Sequence, residues 1–436
     1  MTDNSIFINK KVVFHTLGCK LNFAETSTIG KQMVNEGFVK ARNGEQADVC
    51  VINTCSVTNT ADRKCRQAIN HLHRHHPDAI MVVTGCYAQL KPEEIAEIEG
   101  VDLVIGANEK FSILDYLRDF KKDDGNKIRH SEIKKTKEFK PSCSRDNRTR
   151  YFLKIQDGCD YFCTYCTIPL ARGRSRNGSI EETLKMAEQA ISDGAKEIVL
   201  TGVNIGDFGK STGESFYELI KALDELPYNI RFRISSIEPN LLTDEIIRFV
   251  AQSKHFMPHF HIPLQSGTNE VLQIMKRKYN RELFAHKVEI IKSILPDAFI
   301  GVDVIVGVRG ETPELFEESC KFIDSLAVSQ LHVFTYSERD DTKMLEIDQV
   351  TPMIERKKRS DILHLISDKK TKAFYESQKG KCYPVLWESR HNSENMVGFT
   401  SNYIQVERQY DNKLVNTLEM VTLGEWNQEK SALLKS

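Results

Sequence analysis

The chain is expected to be an α/β protein in three parts: an open parallel sheet with helices, a curved and partly closed βα barrel of six units, and a small β-barrel. Three observations carry that expectation. Short valine- and isoleucine-rich runs alternate with helical patterns from residue 12 to 105, six more strand-sized runs alternate with helices from 151 to 336, and short strands with turns follow residue 378. Strands buried on both faces read as continuous apolar runs, whereas half-exposed ones alternate.

At 436 residues the chain exceeds what one hydrophobic core supports, so about two to four domains are expected. Hydrophobic residues make up 40% and charged residues 28%, the balance of a soluble globular protein. No apolar run approaches the roughly 18 residues of a membrane span. The opening MTDNSIFINKK lacks the apolar stretch of a signal peptide, which points to the cytoplasm and to no membrane partner. Eleven cysteines, an odd number, read more readily as metal ligands and buried thiols than as disulfides. The net charge of −1 excludes a polycation built for nucleic acid, and no DNA partner is expected. Between Lys121 and Arg150, however, 11 Lys and Arg face five acids. This run reads as a basic linker over 123–144, between domains at 10–122 and 145–375, with a last domain at 376–436. Such a run is either a solvated linker or a binding surface.

In the first domain, the strands are VVFHT (12–16), DVCVIN (48–53), AIMVVT (79–84) and VDLVI (101–105), with helices over 22–36, 58–75 and 93–99. Gly37 closes the first helix and Pro92 precedes the third. LGC, NTC and TGC follow the first three strands, at Cys19, Cys55 and Cys86. The carboxyl ends of parallel strands share one edge, where ligands bind, so these cysteines converge there. They are either a three-thiolate metal site or three unconnected small residues. Cys50, inside a strand, and Cys65, inside a helix, read as core thiols. His71 and His75 lack the intervening Glu of an HExxH site and read as a solvated basic helix end.

The barrel strands are YFLKIQ, EIVLTG, RFRISS, HFHIPL, GVDVIVG and LHVFTY, with functional loops expected at their C-termini. The loop after the first, DGCDYFCTYC, carries Cys159, Cys163 and Cys166. A structural zinc site is closed by four ligands, and no fourth is offered nearby. An iron-sulfur cubane held by three cysteines keeps one iron open for chemistry. NIGDFGKS has Asn204 where a Walker loop needs its first glycine, and no GxGxxG opens a helix after a strand. Nucleoside triphosphate and dinucleotide sites are therefore not expected. After a charged helix over 354–378, KCYPVLWE, VGFTSNYIQVER and KLVNTLEMVTL suggest a small barrel. Such barrels hold single-stranded RNA on exposed aromatics. Trp387, Phe399 and Tyr403 are candidates, or core.

CxxxCxxC with Tyr165 before its last cysteine resembles the radical S-adenosylmethionine (SAM) signature. HTLGCKLN, VINTCSVTNTADRK, VTGCYAQ, CTIPLARGRSR and HIPLQSGTNEVLQIMKRKY are similar to blocks of the methylthiotransferase family, and GFTSNYIQV resembles the OB-like TRAM module. The resemblance runs from Lys11 to Leu423. It implies an auxiliary [4Fe-4S] cluster on Cys19, Cys55 and Cys86, and a radical SAM [4Fe-4S] cluster on Cys159, Cys163 and Cys166, whose open iron takes SAM. It places Gly202 and Asn204 near the methionine part of SAM, Ser235, Ser236 and Glu238 near ribose and carboxylate, and Val304, Val306, Gly307 and Tyr165 beside adenine. Each of these has a plain alternative as a turn residue. Arg172, Arg174 and Arg176 could meet RNA phosphates or substrate carboxylates bidentately, or pin loops together. The chain departs from the family pattern at Val308 and Arg309, in place of Phe-Pro, and at Thr335, in place of Pro.

Within the family, TLGCKLN, INTCSVTN and CTYCTIPLARGRSR are most similar to the branch that modifies threonylcarbamoyladenosine beside the tRNA anticodon. The isopentenyladenosine branch more typically has Gly-Cys-Gln-Met-Asn, and the ribosomal-protein branch Gly-Cys-Pro-Lys-Asn. The resemblance thus implies transfer of a methylthio group to carbon-2 of that base. SAM would be used twice, once as methyl donor and once cleaved by one electron to a 5′-deoxyadenosyl radical. The implied partners are the tRNA anticodon stem-loop and an electron donor such as flavodoxin or ferredoxin. The alternatives are an isopentenyladenosine tRNA, a ribosomal-protein aspartate, or a non-catalytic RNA-binding iron-sulfur sensor.

Overall fold

The computed structural model describes residues 4–120, 127–144, 149–391 and 394–436. Lys121, Lys122, Arg145 and Arg148 of the basic run lie outside these. The first domain runs β1 (Lys11–Thr16), α1 (Lys20–Asn35), β2 (Val39–Lys40), β3 (Val49–Thr54), α2 (Asn59–His75), β4 (Ile80–Gly85), α3 (Cys86–Leu90), α4 (Pro92–Ala96), β5 (Leu103–Ile105), α5 (Ile113–Arg118) and β6 (Ile128–Arg129). Its strands form one parallel sheet in the order β2-β1-β3-β4-β5-β6. Every residue of β3 is buried, which is why four consecutive apolar residues, Val49 to Ile52, open it. Thr58 caps α2 by accepting from the Ala61 N–H. Cys50 and Cys65 pack in the core with Ile52, Ile69 and Met81, as expected. The two-residue strands β2 and β6 had no readable signal, and β6 lies within the stretch read as a linker, pairing Ile128 with Val104.

The central domain contains β7 (Ser142–Cys143), β8 (Arg150–Lys154), β9 (Gln156–Asp157), α6 (Ile168–Arg172), β10 (Arg176–Asn177), α7 (Ile180–Ser192), β11 (Glu197–Thr201), α8 (Phe216–Asp224), β12 (Arg231–Ile234), α9 (Asp244–Gln252), β13 (His259–Gln265), α10 (Asn269–Ile274), α11 (Arg281–Ile294), β14 (Phe299–Val306), α12 (Pro313–Ser325), β15 (Gln330–Thr335) and α13 (Met353–Glu376). β8, β11 and β12 form one parallel set, and β13, β14 and β15 another. Single bridges, Phe232 to Phe256 and Ser236 to His261, join the sets into a curved six-stranded wall. Alternate residues Leu153, Ile198 and Leu200 pack in the large core with the helices. Phe152 and Val199, on the opposite face, receive Phe23 and Ala24 of α1. The helix after Cys19 therefore docks the first sheet onto the barrel wall.

The last strands, β16 (Cys382–His391), β17 (Asn395–Thr400), β18 (Gln405–Gln409), β19 (Leu418–Trp426) and β20 (Leu433–Lys435), close into a barrel in the order β16-β17-β18-β20-β19. Closure leaves no open sheet edge. Trp387 is 0% exposed and its indole N–H donates to Glu419 at 2.8 Å, so it is a core anchor and does not stack on bases. Phe399 and Tyr403 stack on each other at 5.0 Å. Arg150 lies over Phe399 at 4.4 Å, and Arg233 lies over Tyr403 at 4.9 Å. These two aromatics, candidates either for RNA stacking or for core, are half-buried and fasten the small barrel to the central domain. Among the described residues, no helix is long and apolar enough to cross a membrane.

Candidate active site

β1, β3 and β4 are adjacent, with Thr16 opposite Asn53 and Thr54 opposite Gly85. Cys55 and Cys86 directly follow their strands, and Cys19 follows a short turn. At Gly18, with φ +102°, an added Cβ would lie 2.7 Å from the Cys55 Cβ and 3.1 Å from its Sγ. Only glycine permits that approach in this backbone conformation. Asn22, fully buried, donates from Nδ2 to the carbonyls of Leu17 at 2.8 Å and Thr54 at 3.0 Å, while its Oδ1 accepts from the Cys19 thiol at 3.8 Å. One carboxamide thus ties the Cys19 turn to the Cys55 turn. Cys55 and Cys86 are buried and Cys19 is exposed, so the trio opens to solvent on one side. Burial pushes the Cys55 thiol up to about 12, with Cys86 and Cys19 adding to the shift. Thiolates here need positive charge beside them, which a bound metal supplies.

The second trio sits in the loop after β8 and β9. The Cys159 N–H donates to the Gly173 carbonyl at 3.1 Å, and the Tyr161 N–H to the Cys159 Sγ at 3.4 Å. Burial raises all three thiols, that of Cys166 to about 12. Arg277, its side chain only 3% exposed, donates to the Cys163 Sγ at 3.0 Å and to the Tyr165 hydroxyl at 3.4 Å, and it pairs with Glu238. Burial holds the Glu238 carboxyl above its usual range against the pull of Arg277. No local signal singles out Arg277 within IMKRKY, because its partners Cys163 and Glu238 lie 114 and 39 residues away in sequence.

The other expected SAM residues divide. Asn204 and Ser235 are buried, and the polar atoms of their side chains meet no hydrogen-bond partner, which marks them as groups wanting a ligand. Gln156 accepts from the N–H groups of Val203 and Asn204 and fixes the loop around Gly202. Ser236 is committed to His261 at 2.8 Å, and His261 to Asp303 at 2.7 Å. Val304 and Val306 are corrections: both pack in the core with the helices, so their side chains face away from Tyr165. The alternation along β14 brings Ile305 to the Tyr165 cluster instead. Gly307, with φ +73°, makes room for Arg356, whose Cγ would lie 2.3 Å from an added Cβ.

The arginine run is also revised. Arg172 is 2% exposed and bonds Asn22 at 2.6 Å, Glu25 at 3.1 Å and Asp157 at 3.0 Å. Arg176 reaches Asp157 at 3.1 Å and the Arg172 carbonyl at 2.6 Å. Neither is free for a phosphate; they pin loops. Arg174 is the exposed one of the three, with 64% of its side chain accessible, lying over Phe162 and paired with Asp160 at 3.4 Å. Lys110 at 2.6 Å and Lys154 at 2.8 Å complete the ring around the fully buried Glu25. The carboxyls of Glu25 and Asp157 are each opposed by burial but held well below the usual range by these cations. A cavity of about 230 Å³ opens beside Lys110, Lys154 and Arg176.

Among the described residues, no three His, Cys, Asp or Glu side chains close on a single metal ion. A structural zinc site needs four ligands at about 2.0–2.3 Å from one ion. A cluster takes one thiolate per iron, so each trio, the first reaching solvent through Cys19 and the second backed by Arg277, could hold three corners of one.

Residues 11–106 match the model of an uncharacterised protein family, UPF0004, and residues 153–323 that of the Radical SAM superfamily. The chain is 40% identical over 407 residues to the threonylcarbamoyladenosine tRNA methylthiotransferase MtaB of Bacillus subtilis, covering 91% of this chain and 89% of that protein. It is 36% identical to the protein of the same name from Aquifex aeolicus, over 92% of this chain and 97% of that one. In fold it is similar to the radical SAM methyltransferase TsrM of Kitasatospora setae, with a TM-score of 0.56 at 14% identity, over 75% of this chain and 73% of the other.

Proposed function

Because the chain belongs to the radical SAM threonylcarbamoyladenosine tRNA methylthiotransferase family, we propose that it adds a methylthio group to carbon-2 of threonylcarbamoyladenosine beside the tRNA anticodon. The observation that carries this reading is the pair of cysteine trios, each at strand C-termini, bridged by Arg172 through Asn22 on one side and Asp157 on the other. A radical SAM enzyme without a second cluster would not need the first trio. In the proposed site, Cys159, Cys163 and Cys166 hold the cluster that takes SAM, and Cys19, Cys55 and Cys86 hold an auxiliary [4Fe-4S] cluster. Bound there, the clusters and SAM supply the one-electron, methyl and sulfur chemistry.

The chain's own residues bind and orient. Arg277 donates hydrogen bonds to Cys163 and Tyr165 and carries a cation into the SAM end of the site. Asn204 and Ser235 offer unpaired polar atoms to the cofactor. Asn22 and Gly18 hold the Cys19 and Cys55 turns together. The last barrel acts as a TRAM module and, with Arg174 and the basic stretch before β7, takes tRNA phosphates. Flavodoxin or ferredoxin delivers the electron.

The test is anaerobic incubation of reconstituted protein with SAM, reductant, sulfide and tRNA carrying threonylcarbamoyladenosine, followed by nucleoside mass spectrometry. A methylthio-bearing product is expected. Product only on isopentenyladenosine tRNA would overturn the substrate assignment, and no 5′-deoxyadenosine from verified clusters would overturn the chemistry.

A further inference from the structure

The buried ring between the two trios is not charge-balanced. Four cations, Lys110, Lys154, Arg172 and Arg176, surround two carboxylates, Glu25 and Asp157. Every side chain in the ring is less than a tenth exposed, so two formal positive charges in excess are largely buried, with a cavity of about 230 Å³ adjoining Lys110, Lys154 and Arg176. Buried charge is costly unless an opposite charge meets it. On one side, the ring abuts the first trio. Arg172 Nη2 and the Cys19 thiol share the Asn22 Oδ1, at 2.6 Å and 3.8 Å. α6, which ends at Arg172, packs on α3, which begins at Cys86.

An oxidised [4Fe-4S] core, doubly positive, becomes singly negative once three thiolates bind it, and gains another negative charge on reduction or when an anion takes its open iron. That charge is opposite in sign to the ring's excess. We propose that Arg172 and Lys110 are positioning residues whose charge stabilises the anionic auxiliary cluster and raises its reduction potential. This inference rests on the auxiliary-cluster reading above. It also gives a reason for an arginine that spans both cysteine loops yet touches no expected substrate group.

The experiment uses the full chain with Cys159, Cys163 and Cys166 all changed to Ala, so that only the auxiliary cluster remains, and follows its reduction in an EPR-monitored redox titration. Removing one cation, by Arg172→Met or separately by Lys110→Met, is expected to disfavour reduction about tenfold at an effective dielectric near 20. For one electron, that is about 59 mV toward lower potential. Arg172→Lys, which keeps the charge and loses the fork, is expected to stay near the parent. Lys110→Met carries the test if Arg172→Met does not fold. Unchanged potentials in the folded Met variants would overturn the inference, as would an Arg172→Lys shift as large as that of Arg172→Met. A parent protein with no cluster at all would instead overturn the auxiliary-cluster reading itself.

Discussion

Glu25→Gln isolates the electrostatic joint between the two main domains. Glu25 is 0% exposed and accepts from Lys110 at 2.6 Å, Lys154 at 2.8 Å and Arg172 at 3.1 Å. Glutamine keeps the volume and one acceptor but leaves four buried cations with Asp157 as the ring's one carboxylate, and Lys110 without the carboxylate it pairs with. Removing one partner from a buried ion pair costs about 3–5 kcal/mol. The retained carbonyl still offers a hydrogen bond worth about 0.5–1.5 kcal/mol. The expected loss is therefore near the lower end, about 3 kcal/mol. For a unit of 150–250 residues, each kcal/mol moves the melting temperature by roughly 2–4 °C, so anaerobic thermal unfolding followed by circular dichroism should fall by roughly 6–12 °C. Adding Lys110→Met removes one orphaned cation, so the double variant should be more stable than the sum of the two losses by about 1 kcal/mol or more. The pH dependence has a definite sign. The folded Glu25 pKa is depressed, so its contribution is fully present above the ordinary carboxylate range and is lost only as pH falls toward the folded value. A Glu25→Gln loss below about 1 kcal/mol, together with additive single losses, would refute the joint.

Four further outcomes follow from the site. Cys55→Ala should abolish methylthiolation while 5′-deoxyadenosine is still formed, and bound iron should fall from about eight to about four per chain; retained product would sink the ligand role of Cys55. Gly18→Ala should lower iron in the same way with all six cysteines kept, since its Cβ would lie 2.7 Å from that of Cys55; a full complement of iron would show that the turn tolerates the clash. Arg277→Met should weaken SAM binding by about tenfold in equilibrium dialysis, about 1.4 kcal/mol, with iron content preserved; unchanged affinity would confine Arg277 to a packing role. Arg174→Glu should weaken tRNA binding at low salt and reduce the salt slope by about one phosphate contact, without changing SAM cleavage in the absence of tRNA.

What was legible in the sequence follows from how local each signal is. The strands β3, β4 and β14 were readable because burial on both faces leaves a mostly apolar, valine- and isoleucine-rich run. The first cysteine trio was readable because each cysteine follows such a run, and adjacent parallel strands align their ends. The short strands β2 and β6 were not, since two residues carry no period. The errors share a cause. Val304 and Val306 were assigned by motif, but their side of β14 is set by the register of the whole strand, which turns Ile305 toward Tyr165. For Phe399 and Tyr403 the sequence left RNA stacking and core both open, because Arg150 and Arg233, which lie over them, belong to another domain.

Arg172 shows most clearly why side-chain role outruns local sequence. Within CTIPLARGRSR, its neighbours Arg174 and Arg176 make it one of three apparent phosphate ligands. In the fold, Arg172 meets Glu25, 147 residues earlier in the chain, and the same guanidinium reaches Asn22, the carboxamide that also accepts from the Cys19 thiol. An exposed arginine in that position could be exchanged for lysine at little cost. A buried one that bonds three partners from two domains cannot keep all of them with a single ammonium group, because only the planar fork spans them. Arg172→Lys should therefore preserve charge at the first trio while loosening the alignment of the two cysteine loops. Charge and alignment are thus separable, the first read as cluster potential and the second as methylthiolation rate.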